Sequence, residues 1–366
     1  MRGEVDMIYM DHAGLGLPRQ DALRQEYEYK LALSVDPSLE FKYVDIIERN
    51  KRNISRFLFH TQNYMVSYVR NTTEGITIAS NVIPLDENDE VVISSLEHRS
   101  ADNSWEYMCE KKKAKLIKVH IDPSDSSKTI INKFSQAITS KTKVVFCSHI
   151  DRNFGIEFPI NAIAKLADQV GAYSVVDGAQ AVGLVDVNLD ELDCSIYICS
   201  FHKWCRMPVA MGAMLSKNGI THNLERLYVG ERRLDEEDVK EKDFGTDELG
   251  TRNVALEMCL PMLIDRNQTE SHENVYEYFI QRLNSISHIV KIVSSIEKNG
   301  RGFIVVDFLN NNENLQDILF SDYGIMIGRI LKDGKIFLRF SFDWTTQKNE
   351  IHILIEALKD IARNCV

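Results

Sequence analysis

The chain has no Cys-x-x-Cys pair. Its seven cysteines, Cys109, Cys147, Cys194, Cys199, Cys205, Cys259 and Cys365, are scattered. That excludes zinc-ribbon spacing, and the odd count argues against a disulfide framework. No metal site is expected. Positive charge is not in excess: 43 Lys and Arg face 54 Asp and Glu, a net charge of −11. A nucleic-acid binder carries a basic face, so no nucleic-acid partner is expected. No apolar run reaches the roughly 18 residues that span a bilayer. Met1–Tyr9 lacks the apolar stretch after a basic start that marks a secretory signal. The expectation is a soluble, cytoplasmic protein with no membrane partner. Internal repeats and low-complexity stretches are also missing. One run, Gly14-Leu15-Gly16-Leu17-Pro18-Arg19, starts like a dinucleotide loop. It lacks the third glycine, contains Pro18, and has no βαβ unit around it.

What is present is an alternation of strands and helices. A chain of 366 residues is long enough for two domains, at roughly 100–200 residues each. Strands are expected at Met65–Arg70, Glu90–Ser95, Lys115–Val119, Lys143–His149, Tyr173–Asp177 and Cys194–Cys199. Helices are expected at Thr73–Val82 and at Asn161–Val170, where Ile163, Leu166 and Val170 share a face. Gly171 stands where a helix C-terminus favours glycine. Continuous apolar strands between helices indicate a mostly parallel sheet covered on both faces. Cys194 and Cys199 read as buried strand residues. Glu231–Asp243 is a charge run that reads as an exposed loop or solvated helix. A helical pattern from Gly250 toward Ser287 is broken by Pro261. Strands follow at Ile289–Ile296, Gly302–Phe308, Gly324–Ile330 and Lys335–Phe340, then an amphipathic helix at Ile351–Ala362. The last hundred or so residues therefore read as a smaller α+β domain.

Chemistry-bearing residues cluster at the expected strand ends. Asp177 closes the strand of Ser174-Val175-Val176-Asp177-Gly178-Ala179-Gln180. Ligands of open parallel sheets bind beyond the carboxyl ends of strands. A carboxylate there suits a protonated ring nitrogen; it also suits a cap on the next turn. One strand later comes Ser200-Phe201-His202-Lys203-Trp204. A lysine in that aromatic setting suits Schiff-base chemistry, although most lysines are simply solvated. Arg70-Asn71-Thr72-Thr73-Glu74-Gly75 lies between strand and helix, where N–H groups and hydroxyls bind anions. Thr72 or Thr73 also fits as a plain N-cap. His98 in Glu97-His98-Arg99-Ser100 could stack on a ring, shuttle a proton, or serve structure alone.

With these residues in view, the chain resembles the class V aminotransferase superfamily of fold-type I pyridoxal-5'-phosphate (PLP) enzymes. That group includes cysteine desulfurases, isopenicillin N epimerase-like proteins and kynureninase. The resemblance runs from Tyr9-Met10-Asp11-His12-Ala13-Gly14 to the last helix, and is most specific in Val175–Gly183 followed by Ser200–Trp204. It implies an α/β fold-type I transferase: a mostly parallel seven-stranded sheet between helices, plus a small C-terminal α+β domain. It implies residues 1–20 joining the small domain, 21–255 as the large PLP-binding domain and 256–366 as the small domain. Lys203 then carries PLP as a Schiff base, Asp177 pairs with the ring nitrogen, and Gln180 bonds the phenolic oxygen. His98 stacks on the ring; Thr72, Thr73, Ser200 and His202 hold the phosphate. Gly250-Thr251-Arg252-Asn253 resembles a loop, in its epimerase-like form, whose threonine reaches a partner's phosphate site, so a homodimer is implied. Arg339 in Leu338-Arg339-Phe340-Ser341 grips the substrate carboxylate, a task suited to a guanidinium.

Three departures shape the expected activity. Residues 324–339 contain no cysteine, so the desulfurase nucleophile is missing. Arg152 stands where desulfurases place an asparagine, so Arg152 or Asn153 enters the substrate site. The stretch after the lysine, Cys205–Gly212, is bulkier than the usual glycine-rich one. The implied function is a PLP enzyme acting on an amino acid through an external aldimine and quinonoid. Lyase chemistry (C–S or other β- or γ-elimination) or epimerase-like chemistry is expected first, transamination second, and a non-catalytic PLP-fold protein last.

Overall fold

A computed structural model describes residues 7–225, 227, 252–264, 273–294, 302–309, 314–332, 334–343 and 345–364. In chain order the elements are β1 (Ile8–Met10), α1 (Gln20–Val35), α2 (Leu39–Leu58), β2 (Tyr64–Val69), α3 (Thr72–Val82), β3 (Glu90–Ser94), α4 (Arg99–Lys112) and β4 (Lys115–Val119). Next come α5 (Ser127–Ala137), β5 (Thr142–Ser148), α6 (Ile160–Asp168), β6 (Tyr173–Asp177), α7 (Leu189–Leu192), β7 (Ile196–Ser200), β8 (Gly212–Lys217) and α8 (Val254–Glu257). The last are α9 (Glu273–Asn284), β9 (Val290–Ile292), β10 (Phe303–Phe308), α10 (Leu315–Tyr323), β11 (Ile325–Lys332), β12 (Lys335–Ser341) and α11 (Lys348–Asn364). The charge run Glu231–Asp243 lies outside the described residues.

Packing divides the described chain into two compact units. The smaller takes the described parts of Met1–Gly16, Arg152–Glu157 and Asn267–Val366; the larger takes those of Leu17–Asp151 and Phe158–Arg266. The divisions thus fall at 16 and 266, against boundaries at 20 and 255 expected from the sequence. Arg152–Glu157, within the expected large domain, goes with the smaller unit.

The larger unit is built on a seven-stranded sheet of order β2-β8-β7-β6-β5-β3-β4. Strands β4, β3, β5, β6 and β7 run parallel, while β8 runs antiparallel to both β7 and β2. Both faces are covered, so the alternation of polar and apolar residues is lost. On one face Val91, Ile93, Val144, Phe146, Val175, Ile198 and Met214 pack with Ile76, Ala79 and Trp105 of α3 and α4. Val92, Val145, Val176, Tyr197 and Leu215, pointing the other way, are buried too. Burying each such aliphatic side chain stabilises by about 1.5–3 kcal/mol, which makes this sheet a rigid platform for its strand ends.

Local differences from the sequence reading have local causes. β7 begins at Ile196 rather than Cys194, because Ser174 and Ser195 exchange side-chain-to-backbone bonds there in place of ladder bonds. Helix α6 buries Ile160, Ile163, Ala164 and Ala167; Leu166 and Val170 stay half-buried. Gly171 takes φ +72° with open space around it, so conformation alone demands glycine. Pro261 opens a short 3-10 turn, Leu260–Leu263, instead of continuing α8.

The smaller unit has a five-stranded sheet of order β1-β11-β12-β10-β9. β1 is parallel to β11 and the other pairings are antiparallel. In α11, Ile351, Leu354, Ile355, Leu358 and Ile361 recur at helical spacing and join a core with Phe279, Phe340 and Phe342. Ser341, at the end of β12, anchors the N-terminal turn: its hydroxyl accepts from Ala13 N at 2.9 Å and donates to Met10 O at 3.3 Å.

Candidate active site

The parallel strands of the larger unit deliver their polar residues to one edge of the sheet. Asp177 ends β6, in register with Ser148 at the end of β5 and Ile198 of β7. Ser200 ends β7, and β2, parallel to β7 through β8, ends just before Asn71-Thr72. The two central runs are physically joined. Gly178 N donates to Ile198 O at 2.7 Å, and Trp204 Nε1 donates to Gln180 Oε1 at 2.8 Å. Asp177 and Gln180 are buried, as is Trp204. The turn-capping alternative for Asp177 is realised, since Oδ1 accepts from Ala179 N at 2.8 Å. A carboxylate has several acceptor positions, so that bond alone does not exhaust it.

Close backbone approaches set this geometry. A Cβ on Gly178 would lie 2.3 Å from the Tyr197 ring, and one on Gly75 of α3 would lie 2.3 Å from Ile198 Cγ2. The chain after β7 turns sharply, with Arg206 N donating to Lys203 O and Met207 N to Phe201 O, both at 3.0 Å. In this bulkier replacement for a glycine-rich stretch, Arg206 and Ala210 adopt φ of +53° and +66°. Left-handed backbone costs a non-glycine residue about 1–2 kcal/mol, so the loop is held in place by its surroundings.

At the N-terminus of α3 two of the candidate phosphate residues, Thr72 and Ser200, meet. Ser200 Oγ accepts from Thr72 N at 2.9 Å and lies 2.7 Å from Thr72 Oγ1. The N-cap is neither threonine: Asn71 Oδ1 accepts from Glu74 N at 3.0 Å. Thr72 is buried and Thr73 exposed. His202 is half-buried, and its Nδ1 is buried without a hydrogen-bond partner. Burial first, and the Lys203 charge second, hold its pKa below the usual histidine value. Lys203 itself is half-buried.

His98 caps α4, with Nδ1 accepting from Ser100 N at 3.1 Å. An N–H donor at Nδ1 leaves the ring proton on Nε2, so tautomer and ring orientation are set together. Next to it stands Glu97, a residue that no sequence motif marks for a role. Its carboxyl is buried and accepts from Ser94 Oγ, from Ser148 N at 3.1 Å and from Ser148 Oγ at 2.6 Å. Burial, reinforced by the Asp177 charge, pushes its pKa up to about 8 against the lowering effect of those bonds. His149 and Tyr197 form a second buried polar pair missed in the sequence, Nδ1 to OH 3.0 Å. Burial holds the His149 pKa down at about 4.

Arg339, Arg152 and Asn153 belong to the smaller unit. Arg339 is buried; Nη2 donates to Asp11 Oδ1 at 2.8 Å and Nη1 to Arg152 O at 2.9 Å. Arg152 therefore contributes its backbone carbonyl to the arginine, a role side-chain reasoning does not reveal. Arg252 Nε pairs with the buried Glu257 at 3.2 Å, and Asn253 caps α8. Thr251 and Gly250 lie outside the described residues. Among the described residues no His/Cys/Asp/Glu group is arranged to hold a metal, and no helix is long and apolar enough to cross a membrane.

Known proteins carry the same architecture. The cysteine desulfurase CsdA of Escherichia coli superposes with TM-score 0.84 at 17% identity, covering 98% of this chain and 96% of that one. The cystine C-S lyase C-DES, in complex with its product cysteine persulfide, gives TM-score 0.82 at 17% identity, covering 98% of each. The shared fold is fold-type I of the PLP-dependent enzymes. In sequence, a cysteine desulfurase of Haloferax volcanii is 28% identical over 238 residues, 61% of this chain and 55% of that protein. One of Salmonella typhimurium is 28% identical over 190 residues, 51% of this chain and 46% of that protein. The matched stretch thus spans about half the length of these curated relatives. The family model described as aminotransferase class-V matches residues 8–354, nearly the whole chain, and this chain belongs to that family.

Proposed function

We propose that this chain is a PLP-dependent enzyme that acts on an amino acid, with C–S lysis, another β- or γ-elimination, or epimerase-like chemistry as its outcome. The observation that carries the reading is the union of the Asp177–Gln180 run with the Ser200–Trp204 run through the Gln180–Trp204 bond. The residues fit the cofactor: a buried carboxylate, an oriented amide, a hydroxyl pair at a helix N-terminus, an unpartnered buried His202 Nδ1, and a lysine at one sheet edge. PLP, when bound, supplies an electron sink for a carbanion at the substrate α-carbon.

Each protein group then has a physical task. Asp177 keeps a proton on the cofactor's ring nitrogen. Gln180 donates from its amide to the phenolic oxygen. Thr72, Thr73, Ser200, His202 and the α3 N-terminus hold the phosphate, with Thr251 as the partner's contribution in a homodimer. His98 packs on the ring. Lys203 carries the cofactor, then removes or returns the proton at the substrate α-carbon. Arg339 binds the substrate carboxylate, with Arg152 and Asn153 beside it. The sequence of residues 324–339 contains no cysteine, so a persulfide on the enzyme is not part of this reading. Elimination needs no such nucleophile, which favours it over desulfurase chemistry.

An absorbance scan of the purified protein with PLP tests this. A visible band should form, vanish in Lys203→Ala, and shift with the correct member of an amino-acid panel whose products are identified by mass. An unchanged band in Lys203→Ala would remove the assignment.

A further inference from the structure

The turn after β1 carries the run Asp11-His12-Ala13-Gly14 and the glycines Gly14 and Gly16, and neither feature has a use in the proposed chemistry. The smaller unit supplies one. Asp11, Gly328 and Arg339 lie in a row: Met10 pairs with Ile327, Gly328 with Arg339, and Asp11 forms a bridge with Ser341. The Asp11 carboxylate sits between two glycines. A Cβ on Gly14 would stand 2.6 Å from Oδ2, and one on Gly328 would stand 2.7 Å from Oδ1. The Gly328 Cβ would also be 2.9 Å from Arg339 Nε and 3.0 Å from Nη2. Both glycines therefore clear room for a carboxylate–guanidinium pair, and neither has positive φ to explain it otherwise. Oδ1 takes Nη2 at 2.8 Å and the Arg152 carbonyl takes Nη1 at 2.9 Å, so the planar fork is held at both ends.

We infer that Asp11, seated between Gly14 and Gly328, is a positioning residue that orients the Arg339 guanidinium for the substrate carboxylate. This rests on the assignment of Arg339 above. A fork fixed at Nη1 and Nη2 keeps its remaining N–H groups in one direction, so a carboxylate is bound without ordering the arginine first. Without Asp11 a buried guanidinium loses its counter-charge and is free to turn toward other acceptors.

The test compares L-alanine with ethylamine, which differ by the carboxylate, each titrated against the visible band of the PLP-loaded protein. In the wild type, L-alanine should perturb the band at lower concentration than ethylamine. Asp11→Ala and Gly328→Ala should each weaken L-alanine about tenfold or more and leave ethylamine within twofold. Asp11→Asn, which keeps an acceptor oxygen, should fall between wild type and Asp11→Ala. Gly328→Ala meets only side-chain atoms of the Asp11–Arg339 pair and no backbone, so it serves as the independent variant, with thermal melting to check its fold. Unchanged or tighter L-alanine binding in Asp11→Ala and Gly328→Ala overturns the inference, the tighter result meaning that Asp11 competes with substrate. A wild type that forms no band, or binds both probes equally, fails the cofactor or Arg339 assignment instead.

Discussion

Trp204 donates its indole N–H to Gln180 Oε1 at 2.8 Å, and this bond decides which way the Gln180 amide faces. An indole can only donate, so the amide oxygen must point at Trp204 and the NH2 must point away. An outward NH2 is what an anionic phenolic oxygen requires. Trp204→Phe keeps an aromatic ring in the space but leaves a buried amide oxygen short of a donor, a loss of about 1–3 kcal/mol. The expected result is a lower melting temperature, by about 2–4 °C per kcal/mol. PLP affinity should also weaken, about tenfold if 1.4 kcal/mol of that loss falls on binding. PLP titration followed by tryptophan-independent absorbance checks it; unchanged affinity in a folded variant would separate Trp204 from the amide's role.

Glu97 predicts an unusual pH dependence of stability. Its carboxyl titrates at about 8 when folded, well above the ordinary carboxylate range. Between the two values the folded protein holds a proton that the unfolded chain does not, so stability falls as pH rises, by at most about 1.4 kcal/mol per pH unit. His149, held down at about 4, has the opposite sign: its contribution is lost as pH falls from about 6.5 toward 4. The two slopes oppose each other below about pH 6.5, so the Glu97 effect is cleanest from about pH 6.5 to 8. Glu97→Gln stays neutral throughout. Melting curves across that window should show the variant gaining on the wild type as pH rises. Parallel curves would mean that Glu97 is ionised already at neutral pH.

The sequence showed the sheet and the candidate cofactor residues because both depend on short-range pattern. Runs such as Val91-Val92-Ile93 read as strands because both sheet faces are buried, and strand ends are fixed once strands are found. β8 went unassigned: Gly212-Ala213-Met214-Leu215 has weak strand character, and only its pairing with β2 and β7 makes it a strand. The partners of the site residues were harder to see, because their contacts join residues far apart in the chain. Nothing near Asp11 announces Arg339, 328 residues away, and Arg152 acts through a carbonyl that any residue owns. His98 was legible as a candidate, yet its cap on Ser100 appears only once α4 has a defined start.

Gly178 follows Asp177 directly, and its lack of a side chain is a steric requirement of the site. A Cβ there would meet the Tyr197 ring at 2.3 Å, and that ring cannot retreat, being fully buried and bonded to His149. Overpacking of this kind costs about 1–3 kcal/mol, and it acts on the residue that aims the Asp177 carboxylate. Gly178→Ala should therefore lower both melting temperature and PLP affinity. The cause can be isolated by adding Tyr197→Ala, which alone costs about 3–5 kcal/mol through the cavity it leaves. In the double variant the new methyl enters that cavity, so the two losses should fall short of their sum by 1 kcal/mol or more, as expected for residues in contact. Strict additivity would show that the ring contact has no part in the loss.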